Sequence, residues 1–319
     1  MSFTSDTKKE LTSLIPERKC CQLAEITGFL RCAGSITFDS RMRMGVKVVT
    51  DNPAVARLFV TLAKEYFGTK SQLVIGDNPS PSRNRLYELS LTPDMNAEAV
   101  LRETGMLGIR EGSNYLTDGF DPAIIRKRCC KKAALRGVFL ASGALSDPVK
   151  GYHLEISCLS DILARDVQKL VNSFGLKAKI VIRRDRHVVY LKDAEQIQDF
   201  LNAIGATGQM LTLQNVRMTK ELVNNANRAS NCENANIERT VTAAQKQLDA
   251  IAVIQRTRGI ESLPDTLYEA ARMRLANPEL SLADLCELTD PPISKSGMNH
   301  RFEKIAALAK QLSATHDIH

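Results

Sequence analysis

The sequence predicts an α+β chain in which one helix–strand–strand–helix–strand–strand–helix unit occurs twice, followed by an all-helical domain. Three observations carry this. The stretch "CCQLAEITGFLRCAGSI" from Cys20 returns as "CCKKAALRGVFLASGAL" from Cys129, and one offset pairs Ala24 with Ala133, Gly28 with Gly137 and Gly34 with Gly143. Each copy continues with segments that alternate apolar and polar residues, the period of a half-buried strand. Beyond Ile237 the apolar residues recur only at helical spacing.

At 319 residues the chain holds two or three domains and buries a core without staples. A hydrophobic fraction of 44% and a charged fraction of 25% are those of a soluble globular protein. No run approaches the roughly 18 apolar residues that span a bilayer. The beginning "MSFTSDTKKELTSL" is polar where a signal peptide carries its apolar region. A cytoplasmic protein with no membrane partner is expected, its eight cysteines present as free thiols.

Residues 1–19 read as an N-terminal helix or tail, 20–120 as the first copy and 121–213 as the second. The opening helices carry Ala24, Gly28 and Cys32 in one copy and Ala133, Gly137 and Ala141 in the other. Residues four apart share a helix face, so each helix presents a stripe of small side chains that lets two backbones approach closely. The two helices are expected to pair along a pseudo-two-fold axis. The strand "RMRMGVKVV" places Arg41, Arg43 and Lys47 on one face and Met42, Met44, Val46 and Val48 on the other. "YHLEISCLS" turns Tyr152, Leu154, Ile156 and Cys158 inward. Helices "AVARLFVTLAKEYFG" and "ILARDVQKLVNSFG" both stop on Phe-Gly. Strand pairs "QLVIGD" with "RLYELSL" and "KAKIVIR" with "HVVYLK" follow, and each copy closes on a helix, "NAEAVLRETGML" or "AEQIQDFLNAIGA".

Between Met210 and Asn236 seven asparagines and few apolar residues predict a polar linker over 214–236. The domain 237–319 ends in the clearest local pattern. Ser281 starts a short helix with Leu282, Leu285 and Leu288 inward, "TDPP" breaks it, and Ser294 starts a longer helix with Met298, Phe302, Ile305, Leu308 and Leu312 on one face. This is a helix-turn-helix at about 281–313. Its leading turn offers Ser294, Lys295, Ser296, Asn299, His300 and Arg301; asparagine pairs with adenine and arginine with guanine, and a helix N-terminus attracts phosphate.

The net charge of +7 is uneven: residues 121–213 carry +6, 1–120 and 214–236 carry +1 each, and 237–319 carry −1. A basic surplus fits a nucleic-acid partner. Arg41, Arg43 and Lys47 in the first copy, with Lys177, Lys179, Arg183, Arg184 and Arg186 in the second, are the residues to meet phosphates.

Other chemistry is thin. The chain has no Walker loop, GxGxxG or HExxH, and its five histidines do not cluster with carboxylates. The pairs Cys20–Cys21 and Cys129–Cys130 lack CxxC spacing and have no histidine nearby, so they read as small apolar residues in helices, ahead of a shared metal or iron–sulfur site. No metal or cofactor is expected.

"TGFLRCAG" and "LRGVFLASG" resemble degenerate copies of the LAGLIDADG motif of homing endonucleases, and the order of elements resembles that fold. With the C-terminal helix-turn-helix, which resembles the promoter-reading part of bacterial sigma factors, the whole chain resembles the WhiA family of bacterial regulators. That resemblance extends to "NRASNCENAN" at Asn227–Asn236, where Arg228 and Asn231, with Arg217 and Lys220 nearby, are candidates for DNA or domain contacts. In LAGLIDADG enzymes the acid before the last glycine binds the divalent metal. Ala33 and Ser142 hold those positions here, and neither supplies the anionic oxygen that magnesium requires. Asp39 and Asp147 lie downstream and read as turn residues. The resemblance implies a non-enzymatic, nucleoid-associated regulator of cell division, chromosome segregation or sporulation. It binds promoter DNA, with a sigma factor or an iron–sulfur regulator as candidate protein partner. An active endonuclease or maturase, and an interaction scaffold, are the alternatives.

Overall fold

The repeat folds as one unit built twice. The structure is a computed structural model that describes residues 2–76 and 85–316. The chain divides into two compact units between Lys220 and Glu221. Helix α1 (Phe3–Leu11), capped by Ser2, precedes the repeat.

The first copy runs α2 (Lys19–Ala33), β1 (Gly34–Phe38), β2 (Met44–Thr50), α3 (Pro53–Phe67), β3 (Gln72–Gly76), β4 (Leu86–Leu91) and α4 (Ala97–Glu103). A hairpin, β5 (Leu107–Arg110) with β6 (Ser113–Leu116), follows; the sequence reading did not anticipate it. The second copy repeats the order: α5 (Arg128–Ser142), β7 (Gly143–Leu145), β8 (Leu154–Cys158), α6 (Asp161–Asn172), β9 (Lys179–Arg183), β10 (Arg186–Leu191) and α7 (Ala194–Ile204). The two sheets share one antiparallel topology, β1-β2-β4-β3 and β7-β8-β10-β9.

Local caps and the Phe-Gly stop set the helix ends. Asn52 Oδ1 accepts the N–H groups of Ala54 and Val55, Pro53 opens α3, and Gly68 at φ +68° ends it. Ser160 and Asp193 cap α6 and α7 in the same way. Alternation places Val46, Val48, Leu89 and Leu91 in the core of one copy, and Leu154, Ile156, Cys158, Val189 and Leu191 in the core of the other.

Two features differ from expectation. "RMRMGVKVV" is not one strand: Arg41, Met42 and Arg43 form the turn between β1 and β2. Asp39 Oδ1 accepts the backbone N–H of Arg41 and of Arg43, both at 2.9 Å, and Met42 takes φ +56° with its side chain exposed. That local hydrogen bonding wins over strand alternation. The residues read as a polar linker are also helical, because α8 runs unbroken over Thr207–Thr257. Side chains 221–234 are all exposed. The composition correctly excluded a core there, but each asparagine costs a helix only about 0.7 kcal/mol or less relative to alanine, which does not forbid one.

The second unit contains the C-terminal part of α8, α9 (Asp265–Ala276), α10 (Leu282–Glu287) and α11 (Lys295–His316). Ile251, Ile254, Leu267, Leu285, Met298, Phe302 and Ile305 form its core. Ser281 and Asp284 make a reciprocal capping box at α10. Leu288, expected inward, lies past the end of α10 and is exposed. Arg274 is buried on α9: Nε donates to Gln247 Oε1 at 2.9 Å, and Nη1 donates to the carbonyls of Asn277 and Leu280 at 3.2 and 2.6 Å. These bonds fix the segment leading into the helix-turn-helix.

Candidate nucleic-acid interface

The pairing of α2 with α5 organises the first unit. A Cβ built on Gly28 would lie 2.2 Å from the carbonyl oxygen of Ala134, and one on Gly137 would lie 2.1 Å from that of Glu25. Real atoms do not approach so closely, so both positions require glycine. The contacts mirror each other across the pseudo-two-fold, as the repeat predicts. Ala33 and Ser142 are the last residues of the two helices. Asp39 is tied to its turn and to Arg43, whose backbone and side-chain N–H groups hold the carboxyl below its usual range. Asp147 Oδ1 accepts the N–H of Val149 and closes a turn. Both acids therefore do the turn work read from the sequence.

The open sheet faces are less basic than the residue types suggest. Lys47 Nζ meets Glu88 Oε2 at 2.6 Å, Arg43 Nη1 meets Asp94 Oδ1 at 2.7 Å, and Arg183 Nη1 meets Glu155 Oε2 at 3.3 Å. Arg41 and Arg43 sit in the turn rather than on the strand face with Lys47. Lys177 precedes β9, while Lys179 and Arg183 share a face of it, four residues apart. Arg184 and Asp185 take φ +46° and +62° in the hairpin turn, and Arg186 opens β10 opposite Arg183. Lys177, Lys179, Arg183, Arg184 and Arg186 are all exposed.

On α8, Lys220 Nζ donates to Pro148 O at 2.8 Å and sits 5.0 Å from the centre of the Tyr152 ring, a structural contact within the first unit. Arg217 lies 3.5 Å from Gln198 Oε1. Arg228 and Asn231 are exposed.

In the helix-turn-helix, Ser294 Oγ accepts the N–H of Gly297, the N-cap bond expected of it. Met298, Phe302 and Ile305 face inward, which turns Lys295, Ser296, Asn299 and His300 outward. Asn299 Nδ2 donates to Glu303 Oε1 at 2.8 Å. Arg301 is half-buried and its Nη1 bonds Glu269 Oε2 on α9 at 2.9 Å, so it ties α11 to α9.

One cluster was ranked second by the sequence reading, behind small apolar residues packed in helices. Cys20, Cys21, Cys129 and Cys130 lie at equivalent positions in the first turns of α2 and α5, and their four sulfurs lie within 4.8 Å of one another. Burial pushes the Cys21 and Cys130 thiols up, whereas hydrogen bonds from Cys21 and neighbouring groups lower Cys129. The signal was present: two cysteine pairs at one offset on helices expected to pair must meet. The missing CxxC spacing and the lack of a nearby histidine outweighed it, and a shared site was set behind small apolar residues in helices.

A duplicated α+β unit of this topology, joined to a helix-turn-helix domain, defines a DNA-binding regulator. Residues 19–107 match the WhiA N-terminal LAGLIDADG-like domain, 131–223 the WhiA LAGLIDADG-like domain and 226–309 the WhiA C-terminal HTH domain. A probable cell division protein WhiA of Clostridium perfringens is 40% identical over 312 residues, covering 98% of each chain. That of Alkaliphilus metalliredigens is 38% identical over 309 residues, covering 97% of this chain and 98% of its own. The crystal structure of full-length DUF199/WhiA from Thermatoga maritima superposes with a TM-score of 0.59 at 22% identity, over 98% of this chain and 99% of that one. The chain belongs to the WhiA family. Among the described residues no helix is long and apolar enough to cross a membrane.

Proposed function

We propose that the chain is a non-catalytic transcriptional regulator that reads promoter DNA through the leading turn of α11 and acts in cell division, with chromosome segregation and sporulation as linked processes. The names carried by its relatives support the cell-division role. The observation that carries the non-catalytic reading is the pair of helix ends at Ala33 and Ser142. Neither offers an anionic oxygen, and the nearby Asp39 and Asp147 are committed to turns. Magnesium-dependent cleavage needs carboxylates converging on the ion.

Ser294, Lys295, Ser296, Asn299 and His300 form the proposed DNA-reading edge, with Arg301 holding it on α9. Lys177, Lys179, Arg183, Arg184 and Arg186, with Arg41, Arg43 and Lys47 in the other copy, would add salt-dependent phosphate contacts. The ion pairs of Arg43, Lys47 and Arg183 weaken that contribution. Arg228 and Asn231 are exposed for the same use; Lys220 and Arg217 act within the first unit. The net charge of −1 over 237–319 favours recognition assisted by a protein partner over tight autonomous binding.

The test is genome-wide occupancy by chromatin immunoprecipitation with wild type and Lys295→Glu. Promoter peaks that vanish in the variant support recognition by α11. Full retention would move recognition elsewhere. Plasmid cleavage by the purified wild-type chain with Mg2+ or Mn2+, lost in Asp39→Ala or Asp147→Ala, would overturn the non-catalytic reading.

A further inference from the structure

The N-terminal ends of α2 and α5 bring together four cysteines that the DNA-binding reading does not use. We propose that Cys20, Cys21, Cys129 and Cys130 form a tetrathiolate site for one tetrahedral soft divalent cation, Zn2+ being the ion that fits, which clamps the two copies together.

Geometry is the first support. A tetrahedral zinc–thiolate bond of about 2.3 Å places the sulfurs about 3.8 Å apart. Cys129 Sγ and Cys130 Sγ already stand 4.0 Å apart, and all four sulfurs lie within 4.8 Å of one another. Small side-chain rotations close the remainder. The cage suits one ion: an iron–sulfur cluster interposes several irons and sulfides between its thiolates and needs a wider one. Four sulfurs and no oxygen ligand select a soft or borderline cation over Mg2+ or Ca2+.

Electrostatics is the second support. Four thiolates around a divalent ion leave two negative charges. The cysteines are the second and third residues of both helices, so two helix N-termini direct their positive ends at the site. Arg18, close enough to help lower the Cys129 thiol, and Lys127 and Arg128 flank it. Without thiolates such charge would repel a cation; with four of them it balances the net negative charge of the loaded site.

Access is the third. Cys20 and Cys129 are half-buried while Cys21 and Cys130 are buried. A cavity of about 340 Å3, lined by Leu23, Ala123, Ile124 and Arg126, opens onto Cys20 and Cys130. An ion therefore has a route in from solvent at the half-buried Cys20.

The experiment uses the full-length chain purified under reductant and titrated with Co2+, then Zn2+. One cobalt per chain is expected, with sulfur-to-cobalt charge-transfer absorption and tetrahedral visible bands that Zn2+ abolishes. Cys20→Ser and Cys130→Ser should lose the bands, whereas Cys232→Ser, at an exposed position outside the cluster, should keep them. Should the serine variants not fold, wild-type alkylation read by peptide mass decides. Zinc should slow modification of the four cysteines by about tenfold or more and leave Cys232 unaffected. Absence of thiolate bands in the wild type, bands that persist in folded Cys20→Ser, or equal alkylation with and without zinc would overturn the proposal. So would recovery of the four cysteines as disulfides from a metal-free chain.

Discussion

Arg136 on α5 donates from Nε and Nη2 to a single oxygen of Glu25 on α2, at 3.0 and 2.7 Å, across the interface of the two copies. Glu25 is 1% exposed, and its other oxygen, Oε1, is buried without a hydrogen-bond partner. Burial therefore outweighs the guanidinium and pushes the Glu25 carboxyl up to about 7. A raised carboxyl binds its proton more tightly folded than unfolded. Its contribution to stability is present in acid and is lost as pH rises from about 4.5 through about 7. Glu25→Gln removes that dependence. The melting temperature of the variant relative to wild type should rise between pH 5 and pH 8 in thermal denaturation; a constant difference would mean that Glu25 stays ionised throughout.

Gly28 and Gly137 should be intolerant of any side chain. The clashing atoms are main-chain oxygens 2.2 and 2.1 Å away, so accommodation requires the helices to separate along their whole contact. Overpacking of this kind costs about 1–3 kcal/mol or more. In a domain of this size that lowers the melting temperature by roughly 2–4 °C per kcal/mol. Gly28→Ala and Gly137→Ala should each show the loss by calorimetry, while Gly76→Ala, which meets no atom, should not.

Arg274 is expected to be a condition for the helix-turn-helix rather than a contact to DNA. Removing it leaves Gln247 and the carbonyls of Asn277 and Leu280 without their shared donor. The acceptors are half-buried and water reaches them in part, so the loss is about 1–3 kcal/mol in total rather than for each bond. Arg274→Ala should lose protection of α9–α11 in hydrogen exchange. Arg274→Lys should recover little, because one ammonium does not span three acceptors. Native-like protection in Arg274→Ala would refute the role.

The duplication, the order of elements in each copy and the helix-turn-helix were legible because each rests on local signals: caps, glycine stops and apolar period. The partners of charges were not. Nothing local to Lys47 announces Glu88, and nothing local to Arg301 announces Glu269, since those pairs form only when strands register and helices pack. The turn at Arg41–Arg43 was misread because alternation and an aspartate-centred turn compete over the same residues. The cysteine cluster lies between these cases: its parts were local, and its meeting followed from the repeat, but only when the two copies were read together.

Lys295 and Arg301 separate reading DNA from holding the reader in place. Lys295 is exposed at the start of α11, where cation and helix N-terminus both favour phosphate. Lys295→Ala should weaken binding to all duplexes and reduce the slope of log affinity against log salt by about 0.9, one phosphate's share. Arg301 is held by Glu269 at 2.9 Å in a pair 21% and 44% exposed, which contributes about 0–1 kcal/mol to stability. Arg301→Ala and Glu269→Ala should therefore lower affinity by similar small amounts with the salt slope unchanged. Fluorescence anisotropy over a salt series measures both quantities. A large loss in Arg301→Ala confined to one sequence, with Glu269→Ala at wild-type affinity, would instead assign Arg301 to a base.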